Sequence, residues 1–219
     1  MIHARVTPLR GAAAAHDTLT RGATFLAALA ERPVIADGWP QGNDARVRAR
    51  FVANCLRELD RFLHGLLDEL AAAAGHIVRE GQRNTANKLR DYGVHPLTAR
   101  ADEARLRALG RSSACLVHCN GVVRRADVSG GTVMTAGWHG AGDALRRYPL
   151  GTRITPGRAE IVDVCRFYAR LGDQLMLAPP TLVPPRRRDA APQPAPRKPR
   201  IAAAASLHAT PCVAHQASS

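Results

Sequence analysis

The stretch from Val47 to Val78 constrains the fold of this chain most. Val52, Leu56, Leu59, Leu63, Leu66, Leu70, Ala73 and Ile77 recur at alternating steps of four and three, which stacks their side chains along one stripe of a long helix. Phe51, Cys55 and Phe62 widen one flank, so the apolar face is broader than a two-position coiled-coil seam. Arg46, Arg50, Asn54, Arg57, Arg61 and Asp68 fall on the opposite face. Asn43 or Asp44 can cap this helix, and Gly75 and Gly81 weaken its continuation by about 1 kcal/mol each relative to alanine.

Before this spine, residues 1–16 read as a loose N-terminus. Asp17 or Thr18 can cap a short helix with Leu19, Leu26 and Leu29 on one face and Pro33 beyond its end. The turn formers between Ile35 and Asn43 predict a loop, with Trp39 more readily a lid over the bundle than an exposed anchor. After the spine, Arg83 to Tyr92 reads as helix, with Ala86, Leu89 and Tyr92 on one side, and Gly93 followed by Pro96 stops it. Thr98 caps a further helix anchored by Leu106 and Leu109 and ended by Gly110.

The periodicity then shortens. Ser113–Cys119 and Val122–Val128 flank Asn120-Gly121, a dipeptide that tolerates positive φ and so signals a β-hairpin. A turn at Ser129-Gly130-Gly131 adds Thr132–Trp138 as a third strand. Gly137 to Gly142 reads as loop and Ala144 to Tyr148 as one helical turn. Thr155-Pro156 opens a last helix with Ile161, Val164, Cys165, Tyr168 and Leu175 inward. Residues 178–219 hold nine of the fifteen prolines and six basic residues against one acid, the composition of a disordered basic tail. The expected fold is therefore α+β and mostly helical. It has a long amphipathic central helix in a small bundle, a three-stranded antiparallel meander and a C-terminal helix. These form a single domain over 17–177, followed by the tail.

The net charge of +13 is an arginine excess, since Lys88 and Lys198 are the only lysines. Such a surplus attracts polyanions, and the competing explanation is a purely compositional bias toward arginine and alanine. No apolar run reaches the roughly 18–20 residues of a membrane span, and Ala12–Ala15 is too short for a signal-peptide core. Five cysteines at irregular spacing do not form a disulfide framework, which points to a reducing cytoplasm.

Cys115, His118 and Cys119, with His139 or Cys165, invite a zinc reading. On a strand, however, Cys115 and Cys119 would stand about 13 Å apart with His118 on the other face. A tetrahedral metal needs its sulfurs within about 4 Å of each other. Neither metal nor cofactor is expected, and the cysteines read as buried apolar groups. The chain carries no Gly-x-Ser-x-Gly elbow, phosphate-binding glycine loop or His-Glu-x-x-His motif, so an enzyme would have to rest on Cys115, His118 and Asp127 in the hairpin.

The order helix, turn, helix, hairpin from Glu80 onward follows a winged helix-turn-helix. Arg100, Arg105 and Arg107 would line its second helix, and Arg124 and Arg125 its wing. The tail would add Arg186, Arg187, Arg188, Arg197, Lys198 and Arg200. The expected function is that of a non-enzymatic accessory or regulatory protein that holds nucleic acid mainly by its phosphate backbone. The alternative is a helical adaptor that docks a protein partner through the long helix or the Pro-rich tail. The same stripe could also pair two copies as a homodimer.

Overall fold

The computed structural model describes residues 7–31, 44–75, 84–92, 96–140 and 144–177. Among these residues are five helices and one two-stranded antiparallel sheet. In order they are α1 (Thr7–Glu31), α2 (Asp44–Ala73), α3 (Thr85–Tyr92), α4 (Pro96–His118), β1 (Val133–His139), β2 (Leu145–Pro149) and α5 (Arg158–Leu177). The Trp39 loop, Ile77, Gly81, Gly93 and the tail from residue 178 lie outside the described residues.

Helix α2 is the spine that its periodicity requires. Val52, Leu56, Leu59, Leu63, Leu66 and Leu70 are buried, Leu63 and Leu66 with no exposed surface. Ala53, Cys55 and Leu67 are buried beside them, and Phe51 and Phe62 pack against the edge of the core. A face this wide lets α2 touch all four other helices, while Arg46, Arg50, Asn54, Arg57 and Arg61 stay exposed. The helix ends where Gly75 takes φ +73° and its N–H donates to the Ala72 carbonyl, a left-handed cap that glycine adopts without strain.

Helix α1 begins at Thr7, so residues 7–16 are helical, and Asp17 pairs with Arg21 within the helix instead of capping it. The alanines that hid this start are what make it work. Ala12, Ala23 and Ala30 join Leu19 on the buried face, and small side chains bring α1 close to its neighbours. A Cβ on Gly22 would lie 2.8 Å from the Phe62 ring, and one on Gly172 of α5 would lie 2.9 Å from Leu19. Helix α5 runs antiparallel to α1: His16 meets Asp173 at 2.8 Å, and Arg158 donates to the Glu31 carbonyl. Val164, Cys165, Tyr168 and Leu175 of α5 are buried, and Ile161 packs against the core.

The expected hairpin at Asn120-Gly121 is not formed. Helix α4 continues through Gly110, takes in Ser113–His118, and ends in the dipeptide that promised the turn. Asn120 has φ 50° and Gly121 φ 79°, and the Gly121 N–H donates to the Cys115 carbonyl at 3.1 Å. Positive φ closes a helix as readily as it turns a hairpin. The glycine at 110 costs about 1 kcal/mol, and burial of Ala108, Leu109, Ser112, Cys115 and Leu116 outweighs it.

The three-stranded meander is correspondingly reduced to two strands. Val122 makes only an isolated bridge to Arg153. The third expected strand is present as β1, and its partner β2 occupies the stretch expected to form a helical turn. The register pairs Val133 with Pro149, Met134 with Tyr148 and Thr135 with Arg147, with an irregularity before His139–Leu145. Strand β1 lies on α4 and α5, where Trp138 is buried and its indole N–H donates to the Tyr148 hydroxyl at 3.1 Å.

Candidate functional site

Cations collect where α2 begins and α4 ends. Arg46 reaches the Asn120 side chain at 3.2 Å, and Arg153 donates to the Asn120 carbonyl at 2.9 Å. Two guanidinium groups thus converge on one residue past the C-terminus of α4, the end whose carbonyls favour positive charge. Arg50 lies one turn along α2 from Arg46. Arg124 and Arg125 follow the cap of α4, and all three are exposed. None of Arg50, Arg124 and Arg125 makes an ion pair among the described residues. Asp127, two residues beyond Arg125, is already engaged: its carboxylate accepts from the Thr135 amide and hydroxyl and pairs with Arg111 at 3.0 Å. Burial alone would raise the Asp127 carboxyl, but the Thr135 hydrogen bonds and Arg111 hold it below its ordinary range.

The arginines singled out from the sequence do not form one surface. Arg105 is 7% exposed. Its Nε donates to the Gly137 carbonyl at 3.0 Å, its Nη2 to Asp163 at 2.6 Å, and its guanidinium stacks 4.4 Å from the centre of the Phe167 ring. It therefore ties α4 to β1 and α5 and is not available to a phosphate. Arg107 pairs with Glu103 and donates to Asn87 of α3. Arg100 is exposed, but roughly 27 Å of helix separates it from His118 and the basic end. The wing expected at Asn120-Gly121 is a helix cap instead, and the strand pair that follows, β1–β2, has β1 packed on α4 and α5. Arg186, Arg187, Arg188, Arg197, Lys198 and Arg200 lie outside the described residues. The residues the sequence reading passed over are Arg46, Arg50 and Arg153, although the first two share a face by their spacing of four.

A second polar cluster lies between α2, α3 and α5. Asp60, His64 and Asp68 follow one another at steps of four, so α2 presents them on one side. Thr85 of α3 donates to Asp60 at 2.9 Å, and Tyr168 of α5, fully enclosed, shares that carboxylate. Lys88 Nζ lies 2.7 Å from His64 Nε2 and 2.5 Å from Asp68. Burial raises the Asp60 carboxyl above its ordinary range, despite the opposing pull of Thr85, His64 and Tyr168. Burial and the charge of Lys88 lower His64 below its usual 6.5.

Three of the thiols are poor nucleophiles. Cys55, Cys115 and Cys165 are buried and free, and desolvation pushes them up to about 11, 11 and 12 respectively. Cys115 lies on α4 and Cys119 just past its end, so the two do not have the spacing of a strand. Among the described residues, no group of three or more His, Cys, Asp or Glu is placed to hold a metal ion. A shallow groove of about 280 Å³ lies between α1 and α2, lined by Ala15, Thr18, Arg61, Phe62 and Gly65, none of which carries acid–base or nucleophilic chemistry suited to catalysis. No helix among the described residues is long and apolar enough to cross a membrane. Comparison with protein-family models, with curated proteins and with solved structures finds no match.

Proposed function

We propose that this protein is a non-enzymatic, nucleic-acid-associated accessory or regulatory protein that grips the phosphate backbone with arginines at the end where α2 begins and α4 finishes. The observation that carries this reading is the exposure of Arg50, Arg124 and Arg125, without ion-pair partners among the described residues, beside Arg46 and Arg153 at Asn120. Guanidinium groups in such a cluster repel one another, and an anion that bridges them relieves the repulsion. The basic tail would add further phosphate contacts. Backbone binding suits this surface better than base reading, because the second helix of the expected reader spends Arg105 and Arg107 on the protein itself.

Fluorescence titration of generic duplex DNA and RNA at several salt concentrations tests the proposal. The slope of log K against log salt should approach about −0.9 for each phosphate neutralised on duplex DNA. Joint replacement of Arg46, Arg50, Arg124 and Arg125 by alanine should flatten the slope, and Arg100→Ala should leave it nearly unchanged. Failure of the full-length chain to bind at about 50 mM salt, where such contacts are favoured, would remove the basis for this function and leave the adaptor reading in front.

A further inference from the structure

Arg90 and Asn87 tie helix α3 to Glu103 and Arg107 of α4, and toward the core it makes two unlike contacts. Ala86 and Leu89, 2% and 1% exposed, make an apolar one. The other is the directed chain of hydrogen bonds that starts at Lys88. An ammonium has only hydrogens to offer, so His64 Nε2, at 2.7 Å from Lys88 Nζ, must be unprotonated and accepting. The ring proton then sits on Nδ1, which faces the Thr85 hydroxyl at 3.4 Å, and Thr85 donates onward to Asp60 at 2.9 Å. This arrangement requires a neutral His64.

A second proton on His64 would press an imidazolium against an ammonium across that same 2.7 Å. The groups around it offset that repulsion only in part. On α2, Asp68 faces both cations, Oδ1 2.5 Å from Lys88 Nζ and Oδ2 3.6 Å from His64 Nε2, and Asp60 accepts from Thr85 and Tyr168. On α3, Thr85 and Lys88 are the facing groups. From α5, Tyr168 acts only through Asp60. On α4, Glu103 and Arg107 pair with each other and engage Arg90 and Asn87 of α3. On α1, Asp17 pairs with Arg21 and His16 with Asp173. Lys88 is the group that must move, and it is on the shortest of the described helices. We propose that His64 is a proton-operated latch: neutral, it holds α3 on α2; protonated, it releases Thr85–Tyr92 while α1, α2 and α5 stay packed. Release uncovers the part of the core now covered by Ala86 and Leu89.

Amide hydrogen exchange of the full-length protein between about pH 7.5 and 5 reads this directly, after correction for intrinsic exchange and alongside NMR titration of the His64 ring. Protection in α3 should fall by up to about tenfold per pH unit below the ordinary histidine value, the limit set by uptake of one proton. Amides around Leu63 should keep their protection. His64→Gln offers Lys88 an acceptor that does not titrate, so α3 should stay protected and lose its pH dependence. Lys88→Met removes the repelled cation and should flatten the response in the same way, which keeps the test decisive if one variant misfolds. Loss of protection in α3 and α2 together, or an unchanged response in both variants, would overturn the latch, as would an α3 indifferent to the titration of His64.

Discussion

Leu63 has no exposed surface and stands within the apolar stripe of α2, whereas Arg57 on the far face is exposed. Leu63→Ala should cost about 2–5 kcal/mol through lost transfer energy and the cavity left behind, and Arg57→Ala should stay within about 0.5 kcal/mol. Urea denaturation of the two variants checks the orientation of the helix. A less visible constraint sits at Gly137, where a Cβ would lie 2.7 Å from the backbone nitrogen of Leu109 and clash with its side chain. Gly137→Ala should therefore lose about 1–3 kcal/mol by overpacking. The leucine could be read from periodicity alone. The glycine could not, because its importance arises from the approach of β1 to α4, two segments that no local pattern connects. The same holds for Asp127, which looked like part of a cysteine–histidine site and instead anchors Thr135 and Arg111. Its depressed carboxyl contributes stability above the unfolded value of 3.8 that is lost as pH falls through the lower folded value. Asp127→Asn should therefore make the melting temperature less sensitive to acid in that range.

At the level of whole elements, α4 shows how a strong local signal can be right about dihedral angles and wrong about structure. Asn120-Gly121 does adopt positive φ. What the dipeptide does not encode is whether the preceding residues pair across a turn or wind into a helix. Cys115, Leu116 and Val117 suit either outcome, and Ser112, buried with its hydroxyl on the Ala108 carbonyl, interrupts the apolar pattern that would have revealed the helix. Two glycines of this segment should respond in opposite directions. Gly110 has open space around it, so Gly110→Ala should stabilise the protein by up to about 1 kcal/mol. Gly121 sits at φ 79° with the Ile154 carbonyl 2.9 Å from any added Cβ, so Gly121→Ala should cost about 1–2 kcal/mol or more. Thermal denaturation of both variants distinguishes a helix cap from a hairpin turn. The start of α1 was hidden for a related reason: a face built from Ala12, Ala23 and Ala30 carries little hydrophobic contrast, although alanine is the best helix former.

For the molecule as a whole, the sequence shows an arginine surplus but not its distribution. In the fold, Arg105 becomes an internal brace, Arg107 an ion-pair partner, and Arg46, Arg50 and Arg153 members of an exposed basic end. Which arginine does which depends on where α2 and α4 meet, and that follows from packing between distant segments. A chain stopped before Ala178 loses six basic residues and one acid. It should melt at the same temperature as the full-length protein, measured by circular dichroism, while the nucleic-acid affinity expected under the proposed function becomes less sensitive to salt. The antiparallel contact of α1 with α5 has a further consequence during synthesis. Glu31 meets Arg158, 127 residues later, an interval of roughly 6–25 s at about 5–20 residues per second. For that time α1 can lean only on α2, and Leu19 lacks the helix against which it finally packs. The first described helix to leave the ribosome is thus among the last to be fully covered, so a nascent chain carries an unfinished apolar seam until α5 emerges.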